Sequence, residues 1–217
     1  MLLNLDKNII KQDWILLQEK ETPFVVVDNW YTKDELKLVW KELDFFTQKN
    51  ILERSENSIY VARPDGKNAV GHNYRIYLDQ YFTEKGRAFD CIANFLFYKI
   101  QNDTFFNLLV NCSQQFRTFR GTNSNSNFVS YYENKDKYDF HNDTMMFSML
   151  IWVYKTPKKF KGGDLFFENN KKVECKNNRM IIFPSYLRHK VDEINMKTSK
   201  KNNGRYTITH FFTYVPK

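Results

Sequence analysis

Six short segments rich in apolar and aromatic residues follow one another in the second half of the chain, and they constrain the fold more than any other feature. They begin beyond residue 104 and comprise residues 116–119, 128–132, 145–154, 164–167, 179–183 and 206–215. Each has the length of a β-strand, and turn-forming residues separate them. Short strands in this arrangement predict a barrel made of two packed sheets. The expected fold class is therefore α+β, mainly β.

The N-terminal half predicts helices that flank one side of this barrel. Residues 24–28 form a short β-branched run, and Thr32 and Glu35 have the spacing of a helix capping box. Apolar residues then recur at helical intervals as far as about Thr47. A second apolar stripe predicts a helix over residues 83–99, which should pack on the sheet.

Length and composition favour one domain spanning residues 1–217, with residues 1–20 as a peripheral lead-in. A chain of 217 residues with 42% hydrophobic residues can bury a substantial core. It has no run of about 18 apolar residues that could span a bilayer. The first residues lack the pattern of a secretory signal, so we expect a cytoplasmic protein.

Cysteine content and charge bear on the state of the thiols and on the kind of partner. The three cysteines are odd in number and not closely spaced, which favours free, mostly buried thiols. The formal charge of +8 is spread along the whole chain. A nucleic-acid partner is therefore not the favoured interpretation, and the oligomeric state is not predicted.

One pair of residues, His141 and Asp143, is typical of a metal site. If the segment that precedes them ends in a strand, the two side chains point to the same face. His189 follows an apolar strand and is the candidate for a third ligand. Two histidines and one carboxylate that leave open positions are the hallmark of non-haem Fe(II) oxygenases. Alternatively, His141 hydrogen-bonds a core carbonyl and Asp143 caps a turn.

Arg205, at the start of the last predicted strand, is a candidate to bind a carboxylate. Its guanidinium offers a planar fork of donors that matches a carboxylate in two parallel hydrogen bonds. Thr207 shares its face by strand alternation. The alternative is that Arg205 only extends to solvent at a strand edge.

The polar region 48–80 predicts loops with one strand at 74–78. Long loops in a compact domain are often functional. Arg75 lies in this region, and we consider it a candidate substrate-facing residue; the alternative is a solvated surface charge.

Taken in order, these residues resemble the 2-oxoglutarate- and Fe(II)-dependent dioxygenases of the prolyl 4-hydroxylase-like branch. The resemblance covers residues 128–215, the expected catalytic core, and residues 24–46 more loosely resemble the opening strand and helix of that family. The matching motifs are Tyr132-x5-Tyr138-x2-His141-x-Asp143, Phe160-x-Gly162-Gly163-x-Leu165, Phe183-Pro184-Ser185-x3-His189-x-Val191 and Arg205-Tyr-Thr-Ile-Thr-x-Phe-Phe.

The resemblance implies a fold, a reaction and a set of roles. The fold would be a double-stranded β-helix, the jelly-roll or cupin-like barrel, flanked by N-terminal helices. The enzyme would use Fe(II), 2-oxoglutarate and O2, with ascorbate as a candidate additional requirement, and would hydroxylate an unactivated C–H bond while releasing succinate and CO2. The implied residues are His141, Asp143 and His189 for the metal and Arg205, Tyr132 and Thr207 for 2-oxoglutarate. Tyr138 would line the substrate side or hydrogen-bond near the iron, and the alternative is that it only packs in the core.

The sequence departs from the family pattern at two places. Asn134 and Lys135 stand where the family often has a glycine, and the segment 192–204 is longer than usual. We expect this segment to form an extended surface hairpin loop, with Gly204 just before the last strand.

The expected substrate is a prolyl residue of a peptide or protein, with a free amino acid or another small molecule as the alternative. A nucleic-acid demethylase of the AlkB-like kind is a third candidate, but such enzymes typically carry a second arginine six residues after the first, and position 211 is Phe. The non-enzymatic alternative is a cupin-like binding barrel.

Overall fold

The computed structural model describes residues 22–48, 50–63, 65–79, 91–197 and 202–216. The predicted lead-in, residues 1–20, lies outside these ranges. Three α-helices occur within them: α1 (Lys33–Gln48), α2 (Cys91–Ile100) and α3 (Asp103–Cys112). No helix of the described ranges combines the length and apolarity that crossing a bilayer requires.

Fourteen β-strands make up most of the remaining structure. Their bounds are β1 (Val25–Val27), β2 (Glu53–Arg54), β3 (Gly71–His72), β4 (Tyr74–Tyr77), β5 (Ser124–Tyr132), β6 (Lys137–His141), β7 (Phe147–Val153), β8 (Phe160–Gly162), β9 (Leu165–Phe167), β10 (Lys172–Val173), β11 (Arg179–Pro184), β12 (His189–Val191), β13 (Ile194–Met196) and β14 (Arg205–Thr213).

The strands form two main antiparallel sheets, as the sequence predicts. A seven-stranded sheet has the order β1-β11-β7-β14-β5-β4-β2, and a five-stranded sheet has the order β10-β9-β12-β6-β3. Strands β8 and β13 pair separately. The long central strands β5, β7 and β14 pair over most of their length, so the centre of the large sheet is regular.

The two faces of the large sheet have different partners. In β14, Ile208 and Phe212 belong to a hydrophobic cluster shared with the helices. Arg205, Thr207 and Thr209 are buried on the opposite face, because successive strand residues point to opposite sides. The helices therefore cover one face, and the polar residues of β14 face the space between the sheets.

Helix α1 begins at the capping box that the sequence predicts. The Glu35 amide N–H donates to Thr32 Oγ1 at 3.2 Å, and the Thr32 amide N–H donates to Glu35 Oε2 at 2.8 Å. The apolar face of the helix buries Val39, Leu43 and Phe46 in the cluster over the large sheet. Local signal and tertiary packing thus agree for this helix.

Two predictions about the region before β5 are wrong. The segment 116–119 belongs to a 3₁₀-helix, Gln114–Gly121, rather than to a strand. Phe116 and Phe119 are both buried, and a separation of three residues places them on one face of a 3₁₀ turn. Helix α3 also lies in the region where strands were expected to begin.

The second predicted helix, residues 83–99, is observed only from Cys91, because residues 80–90 lie outside the described ranges.

The prediction of a surface loop over residues 192–204 is wrong for the first part of this segment. Strand β13 pairs with β8 there, and Ile194 is fully buried. Gly204 directly precedes β14, as predicted.

Cys112 and Cys175 carry free thiols, in agreement with the sequence analysis. Cys175 is buried and Cys112 is half-buried. The side chain of Cys91 lies outside what the structure describes.

Candidate active site

Two histidines from neighbouring strands face each other in the small sheet. His141 ends β6, His189 begins β12, and the two residues are paired directly across the strands. Directly opposed residues of antiparallel strands project from the same face. Their ring centroids lie 4.3 Å apart, and the residues are 8% and 3% exposed. The sheet register therefore brings together two imidazoles that are 48 positions apart in the sequence.

Asp143 joins them from the turn that follows β6. Because the strand ends at His141, strand alternation does not place this carboxylate, contrary to the sequence argument. Its amide N–H donates to the Ser185 carbonyl at 3.1 Å, and Ser148 Oγ donates to its Oδ2 at 2.5 Å. One Asp143 oxygen lies 3.4 Å from His141 Nε2, and the other lies 3.6 Å from His189 Nε2.

The three side chains form a cluster that can hold a metal ion. One ligand atom from each of His141, Asp143 and His189 lies within 4.8 Å of the others. His141 Nδ1 is 2.9 Å from the Asp139 carbonyl oxygen, and His189 Nδ1 is 2.8 Å from the Leu187 carbonyl oxygen. Since a carbonyl only accepts, each Nδ1 carries the proton and each Nε2 offers a lone pair. The hydrogen bonds from both Nδ1 atoms to main-chain carbonyl oxygens therefore fix the tautomer in which Nε2 is free to bind a metal.

Electrostatics favours the same protonation states. Burial opposes ionisation of Asp143, but attraction to His189 and a hydrogen bond with His141 outweigh it and lower its pKa to about 2. Burial lowers the pKa of His189 to about 4. At neutral pH the site therefore presents one carboxylate and a neutral His189, which are the forms that bind metal.

Arg205 lies fully buried behind Tyr132 rather than at a solvent-exposed strand edge. Its guanidinium carbon lies 4.3 Å from the centre of the Tyr132 ring, and Nη1 donates to the Gly163 carbonyl oxygen. Within the described ranges, Arg205 Nε and Nη2 and Thr207 Oγ1 have no hydrogen-bond partner. A buried cation with unused donors is costly unless an anion joins it. This arrangement fits a carboxylate-bearing cosubstrate.

The Gly162–Gly163 turn supports Arg205 in the way that the paired glycines suggest. Both residues have positive φ, +75° and +79°, a conformation that disfavours other residues. A Cβ at Gly162 would clash with the Glu193 carbonyl oxygen, and a Cβ at Gly163 would lie 3.4 Å from Arg205 Nη1. The turn therefore allows the backbone to pass close to strand β13 and to the guanidinium.

A cavity of about 280 Å³ lies beside the three candidate metal ligands. The predicted residues Tyr132, Tyr138 and Arg75 line it together with the three candidate metal ligands. Thr207 also lines it, whereas Arg205 is not among its lining residues. The sequence analysis missed further polar contributors, among them Ser126, Ser130, Asn142 and Thr144, whereas Thr209 lines the cavity from the face of β14 that strand alternation assigns to it together with Thr207.

Ser148 is a further residue that the sequence analysis missed. It interrupts the apolar run of β7 at an inward position, and it hydrogen-bonds both Asp143 and, at 2.7 Å, Ser185 Oγ. A single hydroxyl in an otherwise apolar central strand is the signal that could have found it.

Arg75 is buried in the cavity wall, so the interpretation of a solvated surface charge is wrong. It is 6% exposed, and its Nη1 donates to Tyr77 Oη at 3.1 Å. Tyr138 lies between Arg75 and the triad: its ring centre is 5.6 Å from the Arg75 guanidinium carbon and 4.1 Å from the centre of the His141 ring.

Comparison with known proteins supports this picture. Residues 127–213 match the sequence profile of the 2OG-Fe(II) oxygenase superfamily. A search of curated proteins finds no match.

Several solved structures share the fold. A Pseudomonas putida prolyl-4-hydroxylase aligns with a TM-score of 0.59 and 14% identity, covering 88% of this chain and 93% of that one. A Trichoplax adhaerens prolyl hydroxylase in complex with a hypoxia-inducible-factor peptide fragment aligns with a TM-score of 0.62 and 14% identity, covering 88% and 84%. A viral collagen prolyl hydroxylase from Paramecium bursaria Chlorella virus-1, in complex with 2-oxoglutarate, gives 0.54 and 9%, covering 89% and 97%.

The expected double-stranded β-helix is thereby confirmed. The cluster of His141, Asp143 and His189 fits the Fe(II) of the superfamily that the profile describes. Residues 127–213 are thus similar in sequence to the 2OG-Fe(II) oxygenase superfamily, and the chain shares the fold of the prolyl 4-hydroxylases.

Proposed function

We propose that His141, Asp143 and His189 bind Fe(II) and leave the remaining coordination positions to cosubstrate and oxygen. The observation that carries this proposal is the convergence of both Nε2 atoms on the two oxygens of one carboxylate. Three protein ligands of this type occur in non-haem Fe(II) oxygenases. Ser148 and the Ser185 carbonyl hold Asp143 in place, which fixes the direction of its oxygens.

The 2-oxoglutarate would lie between this triad and Arg205. We assign its distal carboxylate to Arg205, with Tyr132 and Thr207 beside it. Supporting this assignment, Nε and Nη2 of Arg205 and the Thr207 hydroxyl are buried without a hydrogen-bond partner in the described part of the chain. The planar fork of an arginine matches a carboxylate in geometry as well as in charge.

Bound Fe(II) and 2-oxoglutarate would supply the oxidising chemistry, in which O2 and 2-oxoglutarate give succinate, CO2 and one oxygen atom inserted into a substrate C–H bond. The residues of the chain orient the reactants. Leu150 and Val191 line the cavity beside the triad, and apolar lining of this kind limits the access of water. Tyr138 packs on the His141 ring and separates it from Arg75.

The proposed substrate is a prolyl residue of a peptide or protein. The fold is that of prolyl hydroxylases, one of which was solved with a bound peptide fragment. In this chain the exposed side chain of Tyr60 lines the cavity, and Ile59 beside it is 84% exposed. An apolar rim of this kind suits contact with a polypeptide.

Succinate release and mass spectrometry test this proposal. Purified protein with Fe(II), 2-oxoglutarate and ascorbate is incubated with a library of proline-containing peptides and with the same peptides carrying alanine for proline. We expect proline-dependent succinate and a peptide heavier by one oxygen atom. Oxygen incorporated only into free amino acids, or loss of methyl groups from an oligonucleotide, would instead identify one of the other substrate classes.

Further features stay predictions that accompany this function. Residues 128–215 would form the catalytic core of a single domain. The dependence on ascorbate is tested by omitting it from the assay above. The cytoplasmic location is tested by cell fractionation.

A further inference from the structure

Arg75 differs from Arg179 and Arg54, each of which has a carboxylate partner. Arg179 pairs with Asp28, its Nη2 lying 2.8 Å from Asp28 Oδ2. Arg54 pairs with Glu56 and Asp136. Within the described ranges, Arg75 has no carboxylate partner. Its Nη1 donates to the Tyr77 hydroxyl and its guanidinium also hydrogen-bonds the Tyr138 hydroxyl, whereas its Nε has no acceptor among the described residues.

Aromatic rings surround the Arg75 guanidinium. Its central carbon lies 4.5 Å from the centre of the Phe128 ring, 5.6 Å from that of Tyr138 and 5.8 Å from that of Tyr77. Such contacts stabilise a cation, but they do not saturate its five N–H donors. A charge buried in this way still favours an anion within reach.

The sheet register places Arg75 apart from the proposed 2-oxoglutarate site. Thr207 of β14 is paired with Ser130 of β5, and Ser130 is paired with Arg75 of β4. The three side chains therefore form one row across the cavity floor. Two strand spacings, about 10 Å, separate β4 from β14. A cosubstrate held by Arg205 would leave the guanidinium of Arg75 free.

Arg75 also lies close to the reacting centre. Only the ring of Tyr138 separates it from His141, and both arginine and triad line the same cavity. An anionic group held here would belong to the part of the substrate that enters the cavity. A neutral substrate would leave the guanidinium without a counter-charge.

We propose that Arg75 binds a carboxylate of the primary substrate and so selects substrates that carry an acid next to the carbon that is hydroxylated. This inference rests on the proposed function, because it presupposes that the triad holds the metal. The carboxylate has two sources: the free carboxyl group of a terminal or free amino acid, or an acidic side chain beside the target residue of a peptide.

Binding measurements separate these sources without requiring turnover. Protein loaded with Zn(II) and saturating 2-oxoglutarate is titrated calorimetrically with N-acetyl-L-proline, with its amide, and with blocked dipeptides containing Asp-Pro or Asn-Pro. We expect at least one acid to bind more tightly than its neutral partner by about tenfold or more, as for a charge-assisted hydrogen bond. The acid that shows this preference identifies the source.

Variants of Arg75 test its role. Arg75→Met should abolish the preference for the acid, and Arg75→Lys should retain part of it, because lysine keeps the charge but not the fork. The matched control is Arg188→Gln, which removes an arginine that pairs with Glu168 at the surface. It should bind acids and amides as the wild type does.

The Tm of Arg75→Met distinguishes a binding role from a structural role, because the two roles predict opposite changes. Removing a buried cation without an acid partner should leave the Tm unchanged or raise it. A Tm lower by roughly 5 °C or more would show that Arg75 serves the fold and would overturn the proposal.

Three binding outcomes would also overturn it. These are equal binding of acids and amides, binding of none of the acids, and weaker 2-oxoglutarate binding by Arg75→Met, which would place Arg75 in the cosubstrate site. Wild-type protein that binds neither metal nor 2-oxoglutarate would refute the proposed function and this inference together. Protein that binds both but does not prefer acids would refute this inference alone.

Discussion

At the level of single residues, the partners of a buried charge distinguish support of the fold from a role in the site. The Arg179 guanidinium is held by Asp28 and by the Glu174 carbonyl. Arg205 is buried as well, yet its Nε and Nη2 have no hydrogen-bond partner among the described residues. An arginine of the first kind stabilises the native state, whereas one of the second kind is completed by a ligand.

Substitution of Arg205 by lysine tests its role. Arg205→Lys keeps the charge but replaces a two-pronged donor by a single ammonium. We expect the KM for 2-oxoglutarate to rise about tenfold or more, with a smaller change in kcat, because two charge-assisted hydrogen bonds become one. Initial rates of succinate release at varied 2-oxoglutarate measure this effect. Arg188→Lys, a surface substitution, is the control, and an unchanged KM in Arg205→Lys would place the carboxylate anchor elsewhere.

The burial of His210 predicts how the folding stability of the protein depends on pH. His210 is fully buried on the helix-facing side of β14, and neither ring nitrogen has a hydrogen-bond partner in the described ranges. Burial lowers its pKa to about 3. Between about pH 6.5 and about 3 the unfolded chain therefore binds a proton here that the folded protein does not. Folding stability should fall by about 1.4 kcal/mol per pH unit as the pH drops through this window.

The His210→Leu variant should lose this contribution and show a shallower decline. Urea unfolding of wild type and variant at about pH 7, 6 and 5 measures the difference in slope, to which His189 and the carboxyl groups contribute equally in both proteins. Arg188→Gln, a surface substitution that removes no group titrating in this pH range, should follow the wild type. Parallel declines in His210→Leu and wild type would contradict the account.

At the level of elements, the sequence predicts best those segments whose local pattern and tertiary role coincide. Residues 206–215 alternate between the two faces, and β14 covers most of them. The capping box begins α1 where expected. The sequence predicts a strand where the 3₁₀-helix Gln114–Gly121 lies, because two phenylalanines three positions apart do not distinguish the two structures.

The residues of the candidate active site could be predicted from the sequence more readily than their positions. His141, Asp143, His189 and Arg205 could be selected from residue chemistry and spacing, and the structure brings the first three together. The position of Asp143 was not predictable from strand alternation, because hydrogen bonds to Ser148 on the next strand and to Ser185, 42 positions away, determine it. Pairing between strands is a tertiary property, so a local pattern does not reveal it.

The capping box provides a stability prediction. Thr32→Ala removes the acceptor for the Glu35 amide and should lower the free energy of unfolding by about 1 kcal/mol. Urea denaturation measures the loss, with the exposed Thr118→Ala as control. The KM for 2-oxoglutarate should stay the same, since α1 packs on the face of the sheet opposite the cavity. Wild-type stability in Thr32→Ala would show that this cap contributes nothing.

At the level of the whole molecule, the fold divides its two tasks between the faces of one sheet. Helices and apolar side chains cover the outer face. The inner face carries the polar row of Thr207, Ser130 and Arg75, and the small sheet opposite it supplies both histidines. Neither sheet alone contains the candidate metal site and the candidate cosubstrate site. The packing of the two sheets is therefore what would create the active centre.

The most direct test of this account is the absorption spectrum of the anaerobic protein with Fe(II) and 2-oxoglutarate. If both bind at one centre, a weak visible charge-transfer band should appear when both are present and be absent with either one alone. The band should be lost in Asp143→Ala, which lacks a proposed metal ligand, and kept in Arg188→Gln. A wild-type protein without the band, or an Asp143→Ala variant that retains it, would contradict the proposed centre.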